Sequence, residues 1–390
     1  MQNSMIEKLA TSSLKLGVIA GGQLGKMLVQ EASRWDISSY VLDPDEGCSA
    51  RNVANVYVKG DFRDFDDVYA FGKQVDILTY ELEDINIDAL RQLKAEGLQV
   101  LPDPDTLALI QDKGLQKEFY TKHQMPTSPF KCYDHKEEIE RAIKSGELTY
   151  PFVQKLRKGG YDGHGVALIK DANSTLLDGA SMVENKVSIA KEIAVIAARN
   201  AQGEVRCFPA VEMSFGEETN LVEEIFCPSN ITLKQAEIAE LLATEIIENL
   251  DMVGLLAVEF FIDANGQILV NEVAPRPHNS GHHTIDAAVT SQLKQLLRAI
   301  LDLPLGSTAL TTASVMLNLL GEEGHTGPVH YEGFAECMAI DGVKIHLYGK
   351  KMTRPSRKMG HVTILGNTVD EARLKAEQVK KLLKVKSCQM

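Results

Sequence analysis

The chain has 390 residues, of which 44% are hydrophobic and 24% are charged, and its formal net charge is -13. This composition predicts a globular protein of two or three domains and excludes a general nucleic-acid or anionic-membrane surface. No apolar run approaches the ~20 residues that span a bilayer, so we expect a cytoplasmic protein without a membrane partner. The six cysteines have no CxxC spacing, which predicts reduced thiols.

The first quarter of the chain alternates short apolar runs with helical segments. Residues 1–13 are expected to form a disordered tail, and residues 14–105 show the βαβ pattern of a Rossmann-like parallel sheet. Residues 17–30, GVIAGGQLGKMLVQ, combine a strand, a glycine turn and a helix whose first amides favour an anion. The dinucleotide fingerprint GxGxxG is incomplete there, because its first position falls on Ala20.

The rest of the chain is predicted to mix helices and strands. A turn-rich link at 306–312 separates residues 106–305 from a C-terminal piece, 306–390, that ends in a helix from about 369 to 384. The central region contains a long helical stretch at 232–250 and strand candidates near 151–156, 166–170, 192–198, 206–212, 255–262 and 267–273.

The segment LLAVEFFIDANGQILVNEVAPRPHNSGHH contains an Asn-Gly pair between two apolar runs, the strongest short-range signal for a two-residue hairpin loop. If Ala264 pairs with Gln267 across that loop, counting outward places Glu259 directly opposite Glu272. Like charges at this position require a cation or a raised pKa. With Asn271 they supply the hard oxygen ligands that Mg²⁺ prefers. A longer loop would shift the register and leave the glutamates facing solvent.

A glycine-rich segment, FVQKLRKGGYDGHGVALIK, is a candidate phosphate site. Four glycines lie between two strand-like runs, so backbone amides can approach phosphate oxygens closely. Lys155, in the first run, supplies a positive charge. The segment lacks the Walker pattern, and a flexible hairpin without a ligand is the alternative.

Two further clusters carry charge or metal-binding potential. Lys350, Lys351 and RPSRK at 354–358 place five cations within nine residues, which suits either one bound phosphate or a solvated basic surface. A proline-rich segment contains three histidines that could bind a metal ion: His278, His282 and His283. Because the segment lacks HExxH spacing and is not a regular helix, it favours hydrogen bonding or a structural role for them over zinc binding.

The order of these motifs resembles that of the ATP-grasp superfamily and, within it, the N5-carboxyaminoimidazole ribonucleotide synthetase family of purine biosynthesis. The resemblance covers residues 15–385 and rests on GGQLGKM, GGYDGHG, the acidic hairpin, PRPHNSGHHT and RPSRKMGHV. It implies a fold of α/β and α+β class. Its domains would be a Rossmann-like pre-ATP-grasp domain (14–105), an ATP-grasp domain (106–305) with a lid at about 128–188, and a small C-terminal domain (306–390).

The resemblance also implies an ATP-dependent ligase that carboxylates 5-aminoimidazole ribonucleotide with bicarbonate. Carboxyphosphate would be the intermediate, and ADP and phosphate would be released. Lys155 would stabilise the transferring phosphoryl group, while Arg276 and His278 would position bicarbonate and the amine. Glu259 and Glu272 would hold Mg²⁺, with Mn²⁺ as an alternative.

Binding roles follow from the same resemblance. The residues implied for ATP are Lys113, Lys155, Gly160, Tyr161, Asp162, Gly163, His164, Gly165, Glu184, Asn185, Lys186, Val187, Glu192, Asn271 and Glu272. The residues implied for the ribonucleotide are Gln23, Leu24, Glu81, Asn279, Ser280, Lys350, Arg357 and Lys358. The GGQLGKM turn would hold the phosphoribosyl end, with Arg357 and Lys358 opposite.

Other activities stay open at this point. A close alternative is another ATP-grasp carboxylate-amine ligase, such as a formate-dependent glycinamide ribonucleotide transformylase. The first 100 residues alone suggest a nicotinamide-dependent oxidoreductase, and a nucleotide sensor without turnover is a third alternative. Relatives are commonly homodimers, so the resemblance implies a homodimer with small-molecule substrates and no nucleic-acid partner.

Overall fold

The structure is a computed structural model, and it describes residues 2–159, 165–215 and 222–388. Within these ranges, no helix is long and apolar enough to cross a bilayer. The described strands form four sheets. Five residues of the predicted phosphate loop, Gly160, Tyr161, Asp162, Gly163 and His164, lie outside the described residues.

The N-terminal region forms the predicted parallel sheet. Its elements are α1 (Gln2–Ala10), β1 (Lys15–Ile19), α2 (Gln23–Ser33), β2 (Ser38–Asp43), β3 (Val56–Lys59), α3 (Phe65–Gly72), β4 (Ile77–Tyr80), α4 (Ile87–Ala95), β5 (Gln99–Val100) and α5 (Pro104–Ile110). The strand order is β3-β2-β1-β4-β5, and every pairing is parallel. The order reverses between β1 and β4, where the carboxyl ends of parallel strands open a binding crevice. Gln23 and Glu81 follow these two strands.

The predicted disordered tail at 1–13 is wrong for most of its length, because helix α1 forms there. Met5 and Leu9 pack against a buried hydrophobic cluster that the N-terminal and central regions share. Lys8 Nζ lies 2.6 Å from Asp76 Oδ1. These tertiary contacts stabilise a helix that is too short to be stable by itself.

The central region contains two antiparallel sheets. Its elements are α6 (Lys113–Lys122), β6 (Phe130–Tyr133), α7 (Lys136–Ser145), β7 (Phe152–Leu156), β8 (Val166–Ile169), β9 (Ser181–Asn185), β10 (Ile189–Arg199), β11 (Val205–Cys207), β12 (Val211–Phe215), β13 (Val222–Cys227), α8 (Leu233–Asn249), β14 (Gly254–Asp263), β15 (Ile268–Ala274), α9 (Thr284–Ala287) and α10 (Gln292–Ile300). The smaller sheet has the order β6-β9-β7-β8. The strand predicted at 206–212 is two strands, β11 and β12, because Pro209 between them cannot donate to the ladder.

The C-terminal region continues the larger central sheet. Its elements are β16 (Ala313–Leu320), β17 (Gly327–Glu332), α11 (Phe334–Met338), β18 (Val343–Leu347), β19 (Met352–Thr353), β20 (Lys358–Gly366), α12 (Val369–Leu382) and β21 (Lys384–Ser387). The continuous order is β15-β14-β10-β12-β13-β16-β20-β18, with β11 beside β10. The pairing of β13 with β16 therefore joins the two regions across the predicted boundary at 305 and 306. The domain limits themselves stay a prediction.

The core lies on both faces of β10 and β14. Alternate residues of a strand point to opposite faces, and Val195 and Val258 pack with helix α8. Ile196 and Leu255 belong to the cluster that contains helix α10 and also residues of α2. Helix α10 therefore connects the central sheet to the N-terminal region, next to the crevice between β1 and β4.

Candidate active site

The hairpin between β14 and β15 has a longer loop than predicted. Asp263 N donates to Gln267 O at 2.9 Å, so three residues rather than two form the loop. A two-residue loop of the expected type needs a positive φ at both positions. In this loop Gly266 has a φ of 80°, and Asn265 does not adopt a positive φ. The predicted pairing of Ala264 with Gln267 is therefore wrong.

A β-bulge at Asn271 restores the predicted pairing of Glu259 with Glu272, which the structure confirms. Lys113 Nζ donates to Glu272, and His278 Nε2 lies 3.4 Å from Glu259 Oε1. The Lys113 charge holds the pKa of Glu272 well below its usual range. Burial and the Glu272 charge raise the pKa of Glu259. Ionisation of both carboxylates would therefore require a further cation.

A buried ion triad lies beside the hairpin. Lys155 on β7 and Lys117 on α6 contact the two carboxylate oxygens of Glu184 at 2.6 and 3.0 Å, and Ser128 Oγ donates to this carboxylate at 2.8 Å. Burial alone would raise the pKa of Glu184, but the two lysine charges lower it to about 2. Lys155 Nζ also donates to Asn271 Oδ1 at 3.0 Å, which connects the triad to the hairpin.

Lys117 is a site residue that the sequence analysis missed. It lies four residues after Lys113 on α6, and residues with this spacing share one face of a helix. The pair of lysines one turn apart is the signal that could have identified it. The structure shows that Lys113 binds the acidic hairpin while Lys117 binds Glu184.

The other residues predicted for ATP lie around the smaller sheet. Strand β9 is flanked by β6 and β7 and ends at Asn185, so Lys186 and Val187 lie in its connection to β10. Burial raises the pKa of Glu192 on β10 to about 7. Gly165 has a φ of 73° and its carbonyl accepts from Leu156 N at 2.8 Å, just after the undescribed part of the glycine loop.

Two adjacent cavities meet beside the segment that follows β15. The larger has a volume of about 630 Å³, and its wall includes Lys113, Glu259 and Glu272. The smaller has a volume of about 190 Å³, and its wall includes Gln23, Leu24 and Glu81. The residues that line both cavities are Arg276, His278, Asn279 and Lys358.

The amides at the start of α2 bind a side chain. Gly22 N and Gly25 N donate to the two carboxylate oxygens of Glu81, and burial raises the pKa of Glu81 to about 8. Each glycine is required for close approach, because an added Cβ would lie 2.5 Å from Glu81 Oε1 at Gly22 and 2.6 Å from Ala20 O at Gly25. The Gly22 and Gly25 amides are therefore already bonded to Glu81, and the expectation that this turn holds the phosphoribosyl end stays a prediction that concerns Gln23 and Leu24, which line the smaller cavity.

The basic residues between 350 and 358 do not all lie at the two cavities. Lys350 Nζ donates to Gln23 Oε1 at 3.0 Å and to the Lys358 carbonyl at 2.8 Å, and Lys358 lines both cavities. Arg357 Nη1 instead donates to the Met352 carbonyl at 2.6 Å, and Arg357 lines neither cavity. The structure therefore places Lys358, and not Arg357, at the two cavities, and the predicted contact of Arg357 with the ribonucleotide stays a prediction.

The segment after β15 is held by neighbouring side chains. Arg276 Nε lies 2.9 Å from Glu83 Oε1, a partner that the sequence analysis did not identify. Ser280 Oγ lies 2.9 Å from His278 Nδ1. Ser280 is buried and lines neither cavity, so it orients His278, and its substrate contact stays a prediction.

Three family models match successive parts of the chain. They describe a ribonucleotide synthetase preATP-grasp domain at residues 13–111, an ATP-grasp domain at 118–293 and a phosphoribosylaminoimidazole carboxylase C-terminal domain at 314–375. An N5-carboxyaminoimidazole ribonucleotide synthase of Bacillus subtilis is 36% identical over 363 residues, which cover 91% of this chain and 92% of that protein. The chain belongs to this family.

The N5-carboxyaminoimidazole ribonucleotide synthase family includes relatives with longer chains. A chloroplastic phosphoribosylaminoimidazole carboxylase of Vigna aconitifolia is 37% identical over 91% of this chain. This chain spans 64% of the length of that relative. The match therefore concerns one part of the plant protein.

Solved structures of N5-carboxyaminoimidazole ribonucleotide synthetases have the same fold. That of Thermotoga maritima has a TM-score of 0.88 and 43% identity, covering 96% of this chain and 100% of its own. The Aspergillus clavatus structure in complex with ADP and 5-aminoimidazole ribonucleotide has a TM-score of 0.85 and 29% identity. The match covers 94% of this chain and 98% of that chain. The predicted family and the ATP-grasp fold are confirmed.

Proposed function

We propose that this chain is an ATP-dependent ligase that carboxylates 5-aminoimidazole ribonucleotide with bicarbonate, forming N5-carboxyaminoimidazole ribonucleotide, ADP and phosphate. The observation that carries the proposal is the wall that the two cavities share, which includes Arg276 and His278. Because the same residues line both cavities, an intermediate formed in the larger cavity would have only a short distance to travel to an acceptor in the smaller one. The ligands named in the Aspergillus structure support this pair of substrates.

The larger cavity supplies cations for phosphoryl transfer. A bicarbonate oxygen would attack the γ-phosphorus of ATP, the bond to ADP would break, and carboxyphosphate would form. Lys113, which Glu272 holds in the cavity wall, would stabilise charge on the transferring group. Lys155, which Glu184 holds in the neighbouring triad, would add positive charge from beside the cavity. The glycine loop would cover the phosphates, and the connection after β9 would contact the adenine.

The acidic hairpin fits a hard divalent cation. Glu259 and Glu272 face each other and Asn271 adds a neutral oxygen, while one lysine balances only one of the two carboxylates. Glu259 and Glu272 would hold Mg²⁺, or Mn²⁺ in its place. When bound, the ion would supply charge neutralisation for the phosphates.

The smaller cavity would hold the ribonucleotide. Glu81 and Gln23 offer polar contacts, and Lys350 and Lys358 offer positive charge to a phosphate. Arg276 and His278 stand at the junction, where carboxyphosphate would break down to CO₂ and phosphate. The amine nitrogen would then bond to the carbon of CO₂ and lose a proton, which the departing phosphate can accept.

The test is ADP release measured with and without bicarbonate and with and without 5-aminoimidazole ribonucleotide. The proposal expects rapid ADP formation only when both are present. ADP formation that requires formate and glycinamide ribonucleotide would favour the alternative ligase. Binding of NADH or of ATP without turnover would favour an oxidoreductase or a sensor.

The assembly and location expected from the resemblance belong to the same proposal. A homodimer predicts a molar mass near twice the 42.9 kDa of one chain, measured by light scattering during size-exclusion chromatography. A cytoplasmic location predicts that a fluorescent fusion fills the cytoplasm of the source cell. A monomer or a compartment-restricted signal would contradict these two statements and leave the reaction untouched.

A further inference from the structure

Three imidazole rings are packed where the segment after β15 meets the C-terminal strands. The His361 ring on β20 has its centroid 4.7 Å from that of His282 and 4.5 Å from that of His346 on β18. The Tyr348 hydroxyl lies 3.0 Å from His361 Nδ1. Of this group, His282 lines the smaller cavity, and His361 and Tyr348 are buried behind it.

Gln292 determines which nitrogen of His282 carries a proton. The His278 backbone N–H donates to Gln292 Oε1 at 2.9 Å, and Gln292 Nε2 donates to the His278 carbonyl at 2.9 Å. Backbone donors and acceptors cannot exchange roles, so these two bonds fix the orientation of the amide. Gln292 Nε2 also lies 3.1 Å from His282 Nδ1. Nδ1 must therefore accept, and the proton of neutral His282 lies on Nε2.

The surroundings keep this imidazole neutral. A second proton would lie on Nδ1 and face the Gln292 amide donor, which is unfavourable. Burial lowers the pKa of His282 well below its usual value, and nearby groups that are or can become positively charged act in the same direction: His278, Lys358, His346 and His283. His282 is therefore a fixed hydrogen-bond donor at neutral pH.

Nε2 is the ring nitrogen of His282 that remains available to a ligand in the smaller cavity. Nδ1 is used by Gln292, while the His361 ring, tilted by 31°, packs against one face of the His282 ring. The same cavity wall contains Gln23 and Glu81, which the proposed function assigns to the ribonucleotide. An N–H donor at this place would favour a ligand atom with a free lone pair and disfavour one that can only donate.

We propose that His282 binds the acceptor substrate directly, by donating from Nε2 to a lone pair of the ribonucleotide, either an unprotonated ring nitrogen or a hydroxyl oxygen. Gln292 sets the tautomer and His361 sets the ring plane. This inference rests on the proposed function, and it adds a specificity-determining residue that the motif resemblance did not assign.

The tautomer can be measured without any substrate. In protein labelled with ¹⁵N-histidine, long-range ¹H–¹⁵N spectra distinguish protonated from unprotonated ring nitrogens, and His282→Gln identifies the resonance. We expect His282 to be protonated on Nε2, unprotonated on Nδ1 and unchanged between about pH 6 and 8. A proton on Nδ1 in this range would overturn the inference, whatever reaction the protein catalyses.

Steady-state kinetics test the contact with substrate. His282→Leu, which removes the donor, should raise KM for the ribonucleotide about tenfold and leave KM for ATP unchanged. His282→Gln, which retains an N–H donor, should recover most of that loss. The control is His283→Gln, because His283 is equally buried, bonds to the Ser280 carbonyl at 3.0 Å and lines neither cavity.

The outcomes separate the two proposals. If the wild-type protein forms no ADP in response to the ribonucleotide, the proposed function fails while the tautomer measurement stands. If the wild-type protein is active and His282→Leu leaves KM for the ribonucleotide unchanged, the inference about His282 fails. An equal rise in KM for His283→Gln would also overturn it, because a general loss of packing would then explain the effect.

Discussion

Replacing Glu184 with glutamine should destabilise the protein by about 3 kcal/mol at neutral pH. The Glu184 side chain is 4% exposed and contacts two lysines at 2.6 and 3.0 Å. Glutamine would leave both buried ammonium groups facing one neutral amide. The lowered pKa of Glu184 leads to a free energy of the same size. Its pKa falls from 4.5 to about 2, and at about 1.4 kcal/mol per pKa unit this corresponds to about 3 kcal/mol.

The effect has a defined dependence on pH. The pKa of Glu184 is lower in the folded protein than its usual value, so its contribution is complete above about pH 4.5 and is lost as the pH falls towards 2. The wild-type protein should therefore lose stability in this window more steeply than Glu184→Gln. The difference between the two proteins should shrink as the carboxyl group becomes protonated.

Urea unfolding followed by circular dichroism measures the difference. The matched control is Glu147→Gln, because Glu147 pairs with Lys131 at the surface, where both side chains are more than half exposed. Such a pair contributes less than about 1 kcal/mol. If Glu184→Gln is no more destabilising than Glu147→Gln, the buried triad does not stabilise the fold and the reasoning is wrong.

Three further predictions concern the cavities and the first turn. Glu272→Gln should lower kcat for ADP formation by about a hundredfold, because it removes one hard oxygen ligand, and full Mg²⁺-dependent activity would contradict the metal assignment. Lys358→Met should raise KM for the ribonucleotide about tenfold and Arg357→Met less than about twofold, because only Lys358 lines the cavities, and equal effects would return Arg357 to the site. Gly25→Ala should cost about 2 kcal/mol, because its Cβ would lie 2.6 Å from Ala20 O, and an unchanged thermal midpoint would refute this close approach.

Features that depend on residues close together in the sequence could be predicted from the sequence. Apolar runs predicted the parallel sheet and most strands of the central region, because burial requires this pattern. The pairing of Glu259 with Glu272 was predicted correctly although the loop was not, since the bulge at Asn271 compensates for the longer turn. Tertiary packing, which the local turn signal does not contain, decided both the loop length and the bulge.

Contacts between distant segments could not be predicted from the pattern alone. The start of α2 indicated an anion, but only the pairing of β1 with β4 shows that its amides bind the carboxyl group of Glu81, far along the chain. Gln292 was missed for the same reason. A glutamine has no signature in the sequence until packing brings its partner beside it.

The sequence by itself determined the family, the parallel sheet and the types of side chain available for phosphate and metal chemistry. Only the tertiary structure decided which charges meet, that Lys358 rather than Arg357 lines the cavities, and which nitrogen of His282 carries the proton. The physical reason is that secondary structure follows from short-range backbone and side-chain preferences. Ion pairs, pKa values and tautomers depend instead on partners that packing brings together from distant parts of the chain.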